Sequence, residues 1–134
     1  MDIQMQFIRK LPIPQELKRD FPIDTEISRV KQQRDRHIAD ILTGRDDRLL
    51  VIIGPCSADR EDAVLDYMHR LAALAEKVQD RLMIVPRVYT NKPRTKGTGY
   101  KGMLHQPDPE KGEDMLAGII AIRQMHTRIV RETG

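Results

Sequence analysis

The run Leu49-Leu50-Val51-Ile52-Ile53, followed by Gly54-Pro55-Cys56-Ser57, decides the fold class. Five apolar residues in a row, most of them branched, are typical of a strand buried on both faces, as strands are in a parallel sheet. The Gly-Pro pair marks the end of this strand. We therefore predict a parallel strand over 49–53, whose carboxyl end lies where parallel α/β folds bind ligands.

A helix, a second strand, a loop and another helix follow this strand. Apolar residues at spacings of 4, 3, 4 and 3 predict an amphipathic helix over 60–79; they are Val64, Met68, Leu71, Ala75 and Val78. Asp59 is its predicted N-cap, with Asp62 completing a capping pair. The apolar run from Leu82 to Val85, continuing towards Tyr89, predicts the second strand. A basic, glycine-rich loop over 91–102 precedes a last helix over about 114–132.

The chain before the first strand has a different character. Residues 1–24 read as an irregular arm because Pro12, Pro14 and Pro22 interrupt them. Residues 25–42 have helical periodicity, and Gly44 is the expected stop. The basic face of this helix is interpreted as a solvated surface.

Strands that alternate with helices indicate parallel βα units and an α/β fold. Two such units leave both strands as sheet edges, and closing a βα barrel takes eight units and roughly 250 residues. We therefore expect the first two βα units of a (β/α)8 TIM barrel that is incomplete within these 134 residues. Residues 1–46 would be an N-terminal extension, and residues 47–134 the start of the barrel domain.

Composition narrows the functional class. The single cysteine rules out an intramolecular disulfide and favours a reducing compartment. No apolar run approaches the roughly 18 residues of a membrane span, and the first ten residues lack the apolar centre of a signal peptide. We expect a cytoplasmic protein with no membrane partner.

One segment, residues 81–107, contains no Asp or Glu although the chain has 20 acidic residues. Its cationic residues are Arg81, Arg87, Lys92, Arg94, Lys96 and Lys101. Such an uncompensated segment indicates an anionic ligand, either phosphate esters or nucleic acid. Aromatic residues make up only 4% of the chain, with no Trp, and no nucleic-acid-binding motif is present, so nucleic acid is the less favoured of the two.

The two strand ends hold the candidate chemistry. Cys56 is either a buried small hydrophobe or a metal ligand, and a single thiolate makes no metal site. Arg87 offers a planar fork for carboxylate or phosphate, and Lys92 adds a point charge. After Pro93, Arg94 and Thr95 can hold a second anion, close to glycine backbone N–H groups. A solvated basic loop is the alternative.

These motifs resemble a known family. Residues 50–57 (Leu-Val-Ile-Ile-Gly-Pro-Cys-Ser) and 87–95 (Arg-Val-Tyr-Thr-Asn-Lys-Pro-Arg-Thr) are similar to the type I, microbial α-type 3-deoxy-7-phosphoheptulonate (DAHP) synthases. The resemblance continues through Gly-Tyr-Lys-Gly at 99–102 and His-Gln-Pro-Asp-Pro at 105–109, and covers essentially the whole chain. The loop over 95–99 is one residue longer than in the enterobacterial members.

The resemblance implies a transferase of the shikimate pathway to chorismate and the aromatic amino acids. Its reaction is an aldol-type condensation of phosphoenolpyruvate with erythrose 4-phosphate. Arg87 and Lys92 would be catalytic residues that contact phosphoenolpyruvate. Pro93, Arg94 and Thr95 would hold erythrose 4-phosphate. Cys56 would be one ligand of a divalent metal ion of the Mn, Fe, Co or Zn type.

The resemblance also implies what the 134 residues lack. The other metal ligands of the family, a His, a Glu and an Asp, come from later strands, and the four histidines here do not replace the first of them. We therefore expect an N-terminal part with little or no synthase activity by itself. The parent enzyme would be a homo-oligomer that responds to an aromatic amino acid. The alternative is a non-catalytic remnant that binds a phosphometabolite or a partner protein.

Overall fold

The computed structural model describes residues 6–134, and the first five residues of the predicted arm lie outside this range. Six elements follow one another: α1 (Pro14–Asp20), α2 (Thr25–Leu42), β1 (Leu49–Ile53), α3 (Glu61–Val78), β2 (Leu82–Pro86) and α4 (Met115–Thr133). The predicted order is confirmed, with one helix added in the arm.

The two strands form a parallel sheet. Leu49 pairs with Leu82 at one end, and Ile53 pairs with Pro86 at the other. The backbone N–H of Arg87 also donates to the carbonyl of Ile53 at 2.8 Å, so the pairing continues past the strand ends. Because α3 connects β1 to β2, the unit is βαβ and the chain is α/β, as predicted.

The predicted N-cap of α3 is wrong. Arg60 is the N-cap residue, with an extended backbone (φ −133°) and no capping bond from its side chain. The Asp62 carboxylate accepts from Arg60 Nε at 3.1 Å and from the Ala63 backbone N–H at 2.9 Å. One free N–H of the first turn is thus satisfied by Asp62 from inside the helix, and Asp59 is not needed as a cap.

The arm is not irregular throughout, because α1 lies within it. Pro14 starts this helix rather than interrupting it, since proline has the φ of a first helical residue and its missing N–H is not needed there. The Glu16 carboxylate accepts from the Ile13 backbone N–H at 3.0 Å and closes the first turn.

An ion pair and a hydrogen bond connect the start of α2 and the arm to α4. The Asp24 carboxylate accepts from the Ile27 N–H at 2.8 Å and from Arg131 at 3.1 Å; these two bonds, the first the stronger cause, lower the pKa of Asp24. Arg123 donates to the carbonyl of Phe21 at 3.1 Å. The helix α2 ends as predicted, and its basic face is exposed to solvent.

The core lies between α3, α4 and the segment that follows the basic loop. Its buried members are Ala58, Val64, Leu65, Met68, Leu71, Met103, Met125 and Ile129. By contrast, Leu49 and Ile52 of β1 are 68% and 66% exposed, so part of the apolar sheet is uncovered. None of the helices in residues 6–134 is long and apolar enough to cross a membrane.

Candidate functional site

The two predicted site segments meet at the carboxyl edge of the sheet. Residues 54–57 leave β1 beside the start of the 87–95 segment, which leaves β2. A Cβ atom on Gly54 would collide with the carbonyl oxygen of Arg87. Only glycine therefore allows the two backbones to approach this closely.

Cys56 and Lys92 lie side by side. The thiol of Cys56 is exposed, so its interpretation as a buried hydrophobe is wrong. Lys92 Nζ lies 3.4 Å from Cys56 Sγ, and the Lys92 backbone N–H donates to the carbonyl of Lys101 at 2.8 Å. The structure thus joins a candidate metal ligand to a candidate substrate contact.

The Arg87 side chain is held at two points. One terminal nitrogen donates to the carbonyl of Pro55 at 3.1 Å. The guanidinium carbon also lies 5.0 Å from the centroid of the Tyr89 ring, within the range of a cation–π interaction. The remaining N–H groups are left for a ligand, because Arg87 forms no ion pair within residues 6–134.

The basic loop closes on itself by hydrogen bonds to backbone carbonyls. Arg94 Nε donates to the carbonyl of Tyr100 at 2.8 Å, and the Leu104 N–H donates to the carbonyl of Thr90 at 2.9 Å. Gly102 has φ +98°, and a Cβ there would collide with the Thr90 carbonyl. The loop therefore returns to the end of β2 before the chain enters α4.

Charge in the acid-free segment is only partly neutralised. Lys101 donates to Glu113 at 2.8 Å and thereby lowers the pKa of that carboxyl. In the part of the chain that the structure describes, four of the six cations form no ion pair with a carboxylate: Arg87, Lys92, Arg94 and Lys96. All four lie between the end of β2 and the loop tip, as a site for anionic ligands requires.

The family follows from comparison with known proteins. Residues 20–125 match the DAHP synthetase I family. The chain belongs to this family.

Individual relatives agree with this membership. The chain is 40% identical, over 90% of its length, to a tyrosine-sensitive phospho-2-dehydro-3-deoxyheptonate aldolase of Salmonella typhimurium, and covers 33% of that protein. It is 38% identical, over 89% of its length, to the phenylalanine-inhibited enzyme of Saccharomyces cerevisiae, and covers 32% of it. The predicted resemblance to DAHP synthases is confirmed.

A solved structure shows the same architecture. The phospho-2-dehydro-3-deoxyheptonate aldolase of Francisella tularensis superposes with a TM-score of 0.87 at 27% identity. This match covers 97% of the chain and 38% of the Francisella chain. The chain spans about a third of the length of the Salmonella and Saccharomyces relatives.

The described residues do not by themselves fit a metal ion of a DAHP synthetase. No three His, Cys, Asp or Glu side chains within residues 6–134 lie close enough to share one. The neighbour of the Cys56 thiol is an ammonium group, which repels a cation. The role of Cys56 as one metal ligand therefore stays a prediction, and these residues alone do not form a metal centre.

Pro93 and Thr95 are exposed on the basic loop. Two tyrosines beside the predicted residues have no role in the sequence prediction. Tyr89 follows the second strand and belongs to the 87–95 motif but has no predicted role, although an aromatic residue two positions after Arg87 is a signal for stacking. The Tyr100 hydroxyl is buried without a hydrogen-bond partner, beside a pocket of about 410 Å³ lined by Asp59, Tyr100, Gln106 and Pro109. Burial, and secondly the charge of Asp59, raises the pKa of Tyr100.

Proposed function

We propose that this chain carries the first substrate contacts of a 3-deoxy-7-phosphoheptulonate synthase, which joins phosphoenolpyruvate to erythrose 4-phosphate. The observation that carries the proposal is the set of four cations without a carboxylate partner, one of them 3.4 Å from Cys56, in a chain of the DAHP synthetase I family. Both substrates are phosphorylated, so both need cationic partners.

The proposed roles divide the segment in two. Arg87 and Lys92 bind the anionic groups of phosphoenolpyruvate at the strand ends. Pro93, Arg94 and Thr95 hold the phosphate of erythrose 4-phosphate on the loop. The Arg94 geometry supports this division, because its Nε is used by the Tyr100 carbonyl while its terminal nitrogens are not. Fixed cations next to both substrates orient the two reacting carbons. They also offset the repulsion between the two negatively charged substrates.

We further propose the domain arrangement expected from the sequence. Residues 47–134 would begin a (β/α)8 barrel, in which further strands pair with the free edges of β1 and β2. The exposed Leu49 and Ile52 side chains support this arrangement, since closing a barrel buries such residues. Residues 1–46 would form the N-terminal extension, and an aromatic amino acid would regulate the whole protein, as the names of tyrosine-sensitive and phenylalanine-inhibited relatives suggest.

Phosphoenolpyruvate titration by calorimetry tests the substrate contacts. We expect saturable binding by the 134-residue chain and a loss of about tenfold or more for Arg87→Ala, because a charged hydrogen bond contributes about 1.5–3 kcal/mol. Arg81→Ala is the matched control, since Arg81 is an 88% exposed cation at the other end of β2. Equal affinities for both variants would contradict the assignment of Arg87.

Turnover tests the expectation that the 134 residues are inactive alone. Phosphoenolpyruvate consumption is measured with erythrose 4-phosphate and added Mn²⁺. We expect binding without turnover, because the described residues supply a single candidate metal ligand. Metal-dependent turnover would refute this expectation. Binding without turnover would also fit a remnant that only binds a phosphometabolite. A fusion of this chain to the last two thirds of a relative separates the synthase part from such a remnant. Restored synthase activity would require that the substrate contacts in this chain are intact.

A further inference from the structure

We propose that Tyr89 is a positioning residue: the face of its ring holds the Arg87 guanidinium in the orientation that binds phosphoenolpyruvate. This inference rests on the function proposed above. The contact that carries it is the 5.0 Å separation between the Arg87 guanidinium carbon and the centroid of the Tyr89 ring. Neither the motif nor the strand pattern had assigned Tyr89 a role.

The ring stands on a rigid part of the backbone. The carbonyl of Tyr89 accepts from the N–H of Ala58 at 2.9 Å, and Ala58 is fully buried in the core. The preceding residue, Val88, packs against the same core. The backbone of Tyr89 is therefore held by a hydrogen bond and by the packing of its neighbour, and the half-buried residue offers its ring from a fixed point.

Arg87, in contrast, is exposed and has a long side chain. A free arginine loses up to about 2 kcal/mol of rotamer entropy when it is fixed, and a ligand that orders it must overcome that loss. A single hydrogen bond to the Pro55 carbonyl leaves the guanidinium able to rotate about that bond. Contact with the ring removes this freedom before the ligand arrives, which is preorganisation.

The ring also leaves the binding groups free. A cation–π contact does not need a hydrogen bond from the guanidinium N–H donors, which lie in the plane of that group. The edge that is not bonded to Pro55 thus remains available for two parallel bonds to a carboxylate or phosphate. Within residues 6–134 the Tyr89 hydroxyl forms no hydrogen bond, so the ring and not the hydroxyl performs the positioning.

Variants at position 89 separate the ring from the hydroxyl. Tyr89→Phe keeps the ring, and Tyr89→Leu removes it. A phenylalanine with three ring fluorines at position 89 keeps the shape and packing of the ring but weakens the negative charge on its face. This variant keeps the experiment informative if Tyr89→Leu fails to fold. Each chain is labelled with ¹⁵N-arginine, and the Arg87 Hε resonance is assigned by its loss in Arg87→Lys.

The readouts are the Arg87 Hε shift and the affinity for phosphoenolpyruvate. We expect a ring-shielded Hε and unchanged affinity in Tyr89→Phe. Tyr89→Leu should lose the shielding and bind about two- to fivefold more weakly, as an exposed cation–π contact predicts. The fluorinated ring should weaken binding in the same direction with Hε still shielded.

Four other outcomes would overturn the positioning role of Tyr89 or the function on which it rests. An Hε shift that is the same with and without the ring would overturn the contact itself. Loss of shielding in Tyr89→Leu at unchanged affinity would overturn the positioning role, while the proposed function would stand. Equal weakening by Tyr89→Phe and Tyr89→Leu would assign the role to the hydroxyl and overturn the proposal. No binding by the unsubstituted chain would instead refute the proposed function, whatever the resonance shows.

Discussion

The strand ends and the tip of the basic loop carry the two halves of the proposed site, and they are built differently. At the strand ends the backbones are bonded to each other, Arg87 N–H to Ile53 and Ala58 N–H to Tyr89, with no room for a side chain at Gly54. At the loop tip, residues 95–99 are exposed and a Cβ on Gly97 would meet nothing within 4 Å. The first half is preformed, and the second can adjust to its ligand.

The largest expected effect comes from Gly54→Ala. The added Cβ would overlap backbone atoms of Arg87 that the sheet holds in place, so one strand end must move. We expect a loss of about 3 kcal/mol or more in the free energy of unfolding, measured in urea, because overpacking against a fixed backbone cannot relax by a rotamer change.

Gly112→Ala is the matched control for this substitution. Gly112 has open space around its Cβ position and no positive φ, so alanine there should be neutral or stabilising by up to about 1 kcal/mol. Equal unfolding midpoints for the two variants would show that the strand ends can accommodate a side chain at Gly54, which would remove their contrast with the loop tip.

Gly118→Ala should have the second largest effect. Inside an exposed helix, alanine is better than glycine by about 1 kcal/mol. In α4, however, a Cβ at this position would collide with the carbonyl oxygen of Leu104, in the turn that follows the basic loop. We expect a net loss of about 2 kcal/mol, less than at Gly54, since the turn can shift. Stabilisation of α4 by this substitution, seen by circular dichroism melts, would contradict the close packing.

A smaller effect is expected at the loop tip. Gly97 has φ +68°, so Gly97→Ala should cost about 1 kcal/mol through backbone strain alone. Because the strand ends are fixed independently, its affinity for phosphoenolpyruvate should stay within about a factor of two of the parent, a difference of about 0.4 kcal/mol. A tenfold loss would show that the loop tip and the strand ends move together.

The smallest effect is expected for Tyr100→Phe. Removing a buried hydroxyl that has no partner should change stability by less than about 1 kcal/mol near neutral pH, in the stabilising direction. The raised pKa of Tyr100 means that ionisation favours the unfolded chain, so the parent loses stability as the pH rises above 10.0. The advantage of Tyr100→Phe in urea midpoints should therefore grow above that pH. A constant difference between pH 8 and pH 11 would indicate a solvated hydroxyl.

Periodicity was enough to find most of the fold. The five-residue apolar run gave β1 correctly, and the residues from Thr25 to Leu42 form the predicted helix. The prolines of the arm do not predict the short helix α1, although proline is favourable at a first helical position such as Pro14. The N-cap prediction at Asp59 is wrong because the Asp62 carboxylate accepts the Ala63 N–H of the first turn instead. Residue spacing alone does not show which of the two carboxylates makes this bond.

Topology also gave the position of the site, since parallel strands bring their carboxyl ends to one edge. The contacts between side chains could not be predicted. Whether Lys92 reaches Cys56, and whether Tyr89 lies under Arg87, depends on the register of β1 against β2 and on how the loop returns through Gly102. Register and loop closure are properties of the packed chain, and no short sequence window contains them.

The register that pairs Ile53 with Pro86 has a consequence for changes in chain length. One residue inserted into or deleted from either strand would shift its end by about 3.3 Å. It would also turn every following side chain to the opposite face of the sheet. The contacts of Lys92 with Cys56 and of Arg87 with Pro55 would then be lost, whichever residue was added. An extra residue between Thr95 and Gly99 would only lengthen an exposed turn. Length variation among related chains should therefore be tolerated at the loop tip and excluded from the two strands.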